Sequence, residues 1–191
     1  MRVLRWFVAG SLVIAISGVW GATLPPVNAA TGGNGLPAPV TLNGVGGVVV
    51  GMTGQQMRRI WGIPMPVIED GLVDRSYGGI CAGKMHGAAF FVLGDLKTLI
   101  FFKGAVTDRG VGVGSSLRQL RAAYGKRLRP VVLSDSSTRA WRVVEPGPPP
   151  TLALQFHLYN TGRVDALLYG TVDGVRFGTD LRPLSIANVT C

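Results

Sequence analysis

Two histidines, a serine pair, three clustered acids and two glycine-rich stretches are the residues of this chain whose types could do chemistry. His86 or His157, with an aspartate and a serine, would make a hydrolytic set in which the histidine takes the serine proton as a general base. Both lie in or beside strand-like runs, His157 between Phe156 and Leu158, where a lone histidine reads first as a hydrogen-bonded structural residue. Ser115-Ser116 is followed by Leu117 and stands outside any G-x-S-x-G turn, so Ser116 reads as a helix cap and not as a nucleophile. Glu69, Asp70 and Asp74 share a Gly-containing loop without the ligand spacing of a calcium-binding loop. Gly44-x-Gly46-Gly47 and Gly110-x-Gly112-x-Gly114 sit where a phosphate-cradling loop would, between strand-like and helical segments. Neither completes G-x-G-x-x-G, so they read as tight turns and close helix-to-sheet packing. Two His and two Cys are too few for a metal cluster. The sequence therefore gives no catalytic residue, no cofactor site and no metal site.

The compartment is more legible than the chemistry. Arg2 and Arg5 precede the uncharged apolar run from Phe7 to Ala22, followed by Pro25-Pro26 and Val27-Asn28-Ala29. A charged start, an apolar run and a small-x-small site read as a secretory signal peptide over residues 1–29, cut after Ala29, with Ala22 and Ala30 as alternatives. An uncleaved anchor is the competing reading, and the run is short for a span of roughly 20 residues. Export to the cell envelope or the secreted fraction follows. There oxidation is permitted, so the only two cysteines, Cys81 and Cys191, are expected to form a disulfide that pins the tail back onto the middle of the chain.

Charge narrows the partners. The chain carries +9 from 19 basic and 10 acidic residues, and without Arg2 and Arg5 it retains +7. Charged residues are only 15% of the 191, against 47% hydrophobic with 28 Gly and 12 Pro, which excludes a disordered polyelectrolyte and a coiled coil. Arg118, Arg121, Lys126, Arg127 and Arg129 form a dense basic stretch around Tyr124, and Arg58 takes the place of Arg121 in an earlier segment. Nucleic acid is the usual partner of such a stretch, but export removes it. Another protein, an anionic envelope polymer or lipid headgroups at the membrane periphery remain, beside the simpler reading of a solvated helix face.

The elements that would position these residues occur twice. Val48-Val49-Val50-Gly51-Met52-Thr53-Gly54-Gln55-Gln56-Met57-Arg58 through Gly62 is matched 63 positions later by Val111 through Gly125. Thr53 with Gln56, and Ser116 with Gln119, have the spacing of capping boxes. Gly62 and Gly125 supply the stops. Two helices of two to three turns are predicted, with Met57, Ile60 and Trp61 on one buried face and Leu117, Leu120 and Tyr124 on the other. Strand-like runs follow at 87–93 and 96–103 with a turn at Gly94-Asp95, and at 139–144, 151–158 and 163–169 with a turn at 160–162. The Pro-rich stretch from Glu145 to Pro150 reads as a surface loop.

The reading is therefore an α+β fold of two tandem repeats, each a short capped helix followed by a two- or three-stranded antiparallel meander. Residues 30–43 are a flexible leader, 44–105 the first repeat, 106–170 the second, and 171–191 a tail that could add an edge strand. The doubled V-x-V-G-(M/S)-(T/S)-x-x-Q-(M/L)-R-x-x-(W/Y)-G pattern over roughly residues 45–169 resembles exported bacterial modules. These are the beta-lactamase inhibitory proteins and the small lipoprotein of the outer-membrane assembly machinery. That resemblance implies a sheet face that binds another protein, without catalysis. The functional expectation is an exported, non-catalytic binding protein, with a secreted hydrolase acting on envelope material as the alternative.

Overall fold

The structure, a computed structural model, describes residues 38–64, 67–69, 75–133, 139–158 and 162–180. The signal segment, the acidic residues Asp70 and Asp74, the turn at 160–161 and Cys191 lie outside the described residues.

A two-stranded ribbon, β1 (Val40–Thr41) with β2 (Gly44–Val45), leads into α1 (Gly54–Trp61). Then come β3 (Val67–Glu69), β4 (Arg75–Ala82), β5 (Met85–Val92) and β6 (Asp95–Lys103). After α2 (Leu117–Tyr124) follow β7 (Arg129–Val131), β8 (Arg139–Val144), β9 (Leu152–Leu158) and β10 (Val164–Thr171), and last α3 (Val172–Asp180). The strands from β3 on form one antiparallel sheet ordered β3-β4-β5-β6-β10-β9-β8-β7.

This corrects the expected two tandem α+β repeats with a short meander each. The strands merge into a single eight-stranded sheet, because β6 pairs directly with β10 through Leu167 opposite Phe101 and Tyr169 opposite Leu99. The cause lies in the strand sequences. β5, β6, β9 and β10 carry consecutive buried residues and not an alternating pattern, as in Phe90-Phe91, Leu99-Ile100-Phe101 and Leu167-Leu168-Tyr169. Such strands are apolar on both faces and belong in the middle of a covered sheet. A separate small meander would leave one of them as a wet edge.

The first part of the tail is helical for the same reason, and residues 181–191 lie outside the described residues. β10 is paired on both sides, so the chain leaving it has no free edge to join and must cross a face. It does so as α3, a helix and not an edge strand, laying Val175 against Ile100, Ala166 and Leu168. The expected flexible leader is also partly ordered: Val40 is fully buried and its N–H donates to the Val106 carbonyl at 2.8 Å.

Both helices of the opposite layer form as their caps predict. Thr53 and Ser116 each accept from the backbone N–H three residues on, and the Gln56 and Gln119 side chains return the bond to the cap N–H. Met57 and Trp61 of α1 and Leu120 and Tyr124 of α2 turn into the core with Val45, Leu154 and Phe156. Each such side chain contributes roughly 1.5–3 kcal/mol by leaving water, more than helices of eight residues have of their own. The β5–β6 turn sits one residue earlier than predicted, at Leu93-Gly94, with φ of 54° and 82°. A two-residue loop with positive φ at both positions matches the twist of the flanking strands.

Candidate functional site

The residues singled out for chemistry are mostly engaged in structure. The Ser116 hydroxyl caps α2, and Ser115 Oγ accepts from the Gly112 N–H at 3.0 Å. Gly112 itself needs to lack a side chain, since a Cβ there would stand 2.1 Å from the Ala105 carbonyl oxygen. The glycine-rich loop is thus a site of close backbone approach. His86 lies half-buried on β5 opposite Cys81, which is disulfide-bonded. His157 is 1% exposed on β9. Among the described residues no group of three or more His, Cys, Asp or Glu is placed to hold a metal ion.

The cations gather differently. Arg118 and Arg121 lie on the exposed side of α2 and Lys126 and Arg127 on the single 3-10 turn that follows it, whereas Arg129, on the edge strand β7, stands opposite Arg142 on the other face of the sheet. All five are exposed, and among the described residues none of them forms an ion pair with a carboxylate. The helix geometry dictates this face: Leu120 and Tyr124, four residues apart, occupy the sheet side, so Arg118 and Arg121 are turned outward.

Aromatic rings underneath hold two guanidiniums in place. Arg121 lies over the Trp141 ring of β8 at 5.1 Å, and Arg109 over Tyr124 at 5.4 Å. Arg109 Nη1 also donates to the Ala123 carbonyl at 2.9 Å, where a cation complements the carbonyl end of α2. Burial against Phe156 pushes the Tyr124 phenol above its ordinary range, partly offset by the neighbouring Thr107 hydroxyl. Arg58, the counterpart of Arg121, shares its backbone role: each carbonyl accepts the N–H of its capping glycine, Gly62 or Gly125. It stands on α1, apart from the α2 stretch.

The other side of the same edge carries a polar chain. Arg142 of β8 donates from Nε and Nη2 to Gln155 Oε1, at 2.8 and 2.5 Å. Because that oxygen faces Arg142, the Gln155 amide nitrogen faces His157 Nε2, 2.7 Å away. The ring nitrogen is then the acceptor, an assignment made from the bonding pattern. Burial, and then the nearby Arg176, lower the Arg142 guanidinium from its ordinary value, while Asp173 opposes them.

The sequence reading found the α2 stretch but missed Arg109, Trp141, Arg142, Gln155 and Arg176. One signal was available: Gln155 is the only amide in the apolar run from Leu152 to Leu158. A polar side chain in such a run must find a partner in the next strand.

On β5 neither face of the sheet is open. Ala88 and Phe90 on the α3 side are 3% and 2% exposed, and Ala89 and Phe91 on the other side are 0% and 2%. Fold and site together define a mainly β domain with a helical layer on each face and a cationic rim at one edge. No protein family, curated protein or solved structure matches the chain. Among the described residues no helix is long and apolar enough to cross a membrane.

Proposed function

We propose that the protein is an exported, non-catalytic binding protein of the cell envelope or the secreted fraction, and that its α2 rim attaches it to a polyanionic envelope component. One observation carries this reading. Arg118, Arg121, Lys126 and Arg127 are exposed together without carboxylate partners among the described residues, and Arg121 is held over Trp141. A stacked guanidinium loses less freedom on binding than a free one, and unpaired cations on one edge attract anionic surfaces over roughly a Debye length of 8–10 Å. The charge of the expected mature chain, +7, has the same sign.

The hydrolase alternative gains nothing from the geometry at His157. Its Nε2 is taken by the Gln155 amide and the ring is almost wholly buried, so a substrate would find neither a free base nor an approach.

The test is co-sedimentation with vesicles containing phosphatidylglycerol and with purified cell-wall fragments, against neutral vesicles as control. Retention on the anionic particles that weakens between low and physiological salt supports the proposal. Equal retention on neutral vesicles, or none on either anionic particle, rejects it.

A further inference from the structure

The α3 side of the same edge carries a second, separate set of cations. One row of cross-strand partners runs outward through Ile100, Leu168, Gln155, Arg142 and Arg129. Ile100, Leu168 and Gln155 are buried, Arg142 is half-buried and Arg129 is exposed. Directly opposed residues of an antiparallel pair have Cα atoms about 4.5–5.5 Å apart, so the Arg129 and Arg142 side chains start side by side on one face. Like charges placed so are destabilising when nothing lies between them. α3 crosses this face and adds Arg176, whose charge acts on Arg142. Asp173, one turn earlier on α3, is the one carboxylate found acting on Arg142 among the described residues. None of the three arginines forms an ion pair there.

Arg142 is also oriented. Gln155, fully buried, receives both its Nε and Nη2 at one oxygen. That bond fixes the guanidinium plane and leaves the Nη1 amino group and the second Nη2 hydrogen for another acceptor. A planar fork with two free donors fits the oxygens of a phosphate or carboxylate. Charge then chooses between them. Three guanidiniums and the Asp173 carboxylate sum to +2, which a dianion neutralises and a single carboxylate does not.

We propose that Arg142, Arg129 and Arg176 form a binding site for a phosphate monoester, with Arg142 as the fixed fork set by Gln155 and the other two closing on the anion. A phosphate monoester carries about −1.5 to −2 at neutral pH, which matches the site. This site lies on the face opposite Arg121 and Trp141, so it stands or falls independently of the α2 rim.

The experiment is isothermal titration of the full exported protein with phenyl phosphate and with inorganic phosphate, at ionic strength held constant with chloride. Saturable binding is expected. Arg176→Gln and Arg129→Gln, both at exposed positions, should each weaken it on the order of tenfold, the loss of one charge-assisted contact. Arg142→Lys, which keeps the charge but not the fork, should weaken it at least as much, with folding checked by circular dichroism. Lys84→Gln, at an exposed position on the β4–β5 turn and in neither site, should leave it unchanged. Flotation with vesicles containing phosphatidic acid distinguishes the sources: binding there that needs Arg176, without binding of either soluble phosphate, assigns the monoester to a lipid headgroup. No saturable binding in any arm, or binding that Arg176→Gln and Arg129→Gln leave intact, overturns the proposal.

Discussion

Replacing Gly174 by alanine tests how α3 is seated, and with it the position of Asp173 and Arg176. A Cβ at Gly174 would lie 2.5 Å from the Lys97 carbonyl oxygen and 2.5 Å from Thr98 Oγ1. Ordinary contact begins at 3.4 Å, so α3 would have to lift by about 0.9 Å. The Lys97 carbonyl belongs to β6, paired on both sides at the centre of the sheet, and cannot give way. Two effects compete. Alanine in a helix gains up to about 1 kcal/mol over glycine, whereas overpacking a filled contact costs about 1–3 kcal/mol. The steric term should win, for a net loss of about 1–2 kcal/mol and a fall in Tm of roughly 2–8 °C in a chain of this size. Thermal unfolding followed by circular dichroism measures it. Gly147→Ala, in an exposed loop with nothing near the added carbon, is the control and should change little. An unchanged or raised Tm for Gly174→Ala would mean that helix propensity decides here and that α3 does not sit this closely on β6.

The helix caps give a second expectation: Thr53→Ala and Ser116→Ala should each lower stability by about 1 kcal/mol in denaturant unfolding, and equal midpoints with wild type would dismiss the caps. At alkaline pH, burial raises the phenols of Tyr124 and Tyr169 above the ordinary value of 10.0. A raised folded value means stability that is complete below pH 10 and is lost as pH rises through the folded values, so Tm should start to fall near pH 10, in step with tyrosinate absorbance. Phenols that ionise fully with no change in Tm would refute this. Peptide mapping without reductant should give a Cys81–Cys191 pair. Its removal should cost up to about 4–5 kcal/mol, the chain-entropy figure for a loop of on the order of 100 residues, and a free thiol on Cys191 would sink the pairing.

What the sequence made legible was local. Thr53, Gln56, Ser116 and Gln119 act within a few residues of themselves, so α1 and α2 could be placed from spacing alone. β8 was read at its observed bounds because Arg139 to Val144 is closed by the prolines that follow. Where pairing decides, the reading failed. β4 contains Gly78-Gly79 and little apolar patterning, and it is a strand because Ile80 opposes Gly87 and Tyr77 opposes Phe90. β7 has a proline and three residues, tolerable only at an edge, where Pro130 also blunts further pairing. α3 depends on β10 being central, which no stretch of 20 residues announces. The same division holds for the site. The basic stretch of α2 was visible as a run, but the stacking of Arg121 on Trp141 and the meeting of Arg129 with Arg142 are products of register.

Attachment of the α2 rim to a polyanion is decided by one titration. Affinity for phosphatidylglycerol vesicles is measured from low salt to about 0.15 M, for wild type and for the triple variant Arg118→Gln, Lys126→Gln, Arg127→Gln. All three positions are exposed and unpaired among the described residues, so the variant should keep its fold. Steep salt dependence is expected for the wild type, and for the variant both weaker binding at low salt and a shallower slope. Binding of wild type and variant that is equal at every salt concentration would contradict it.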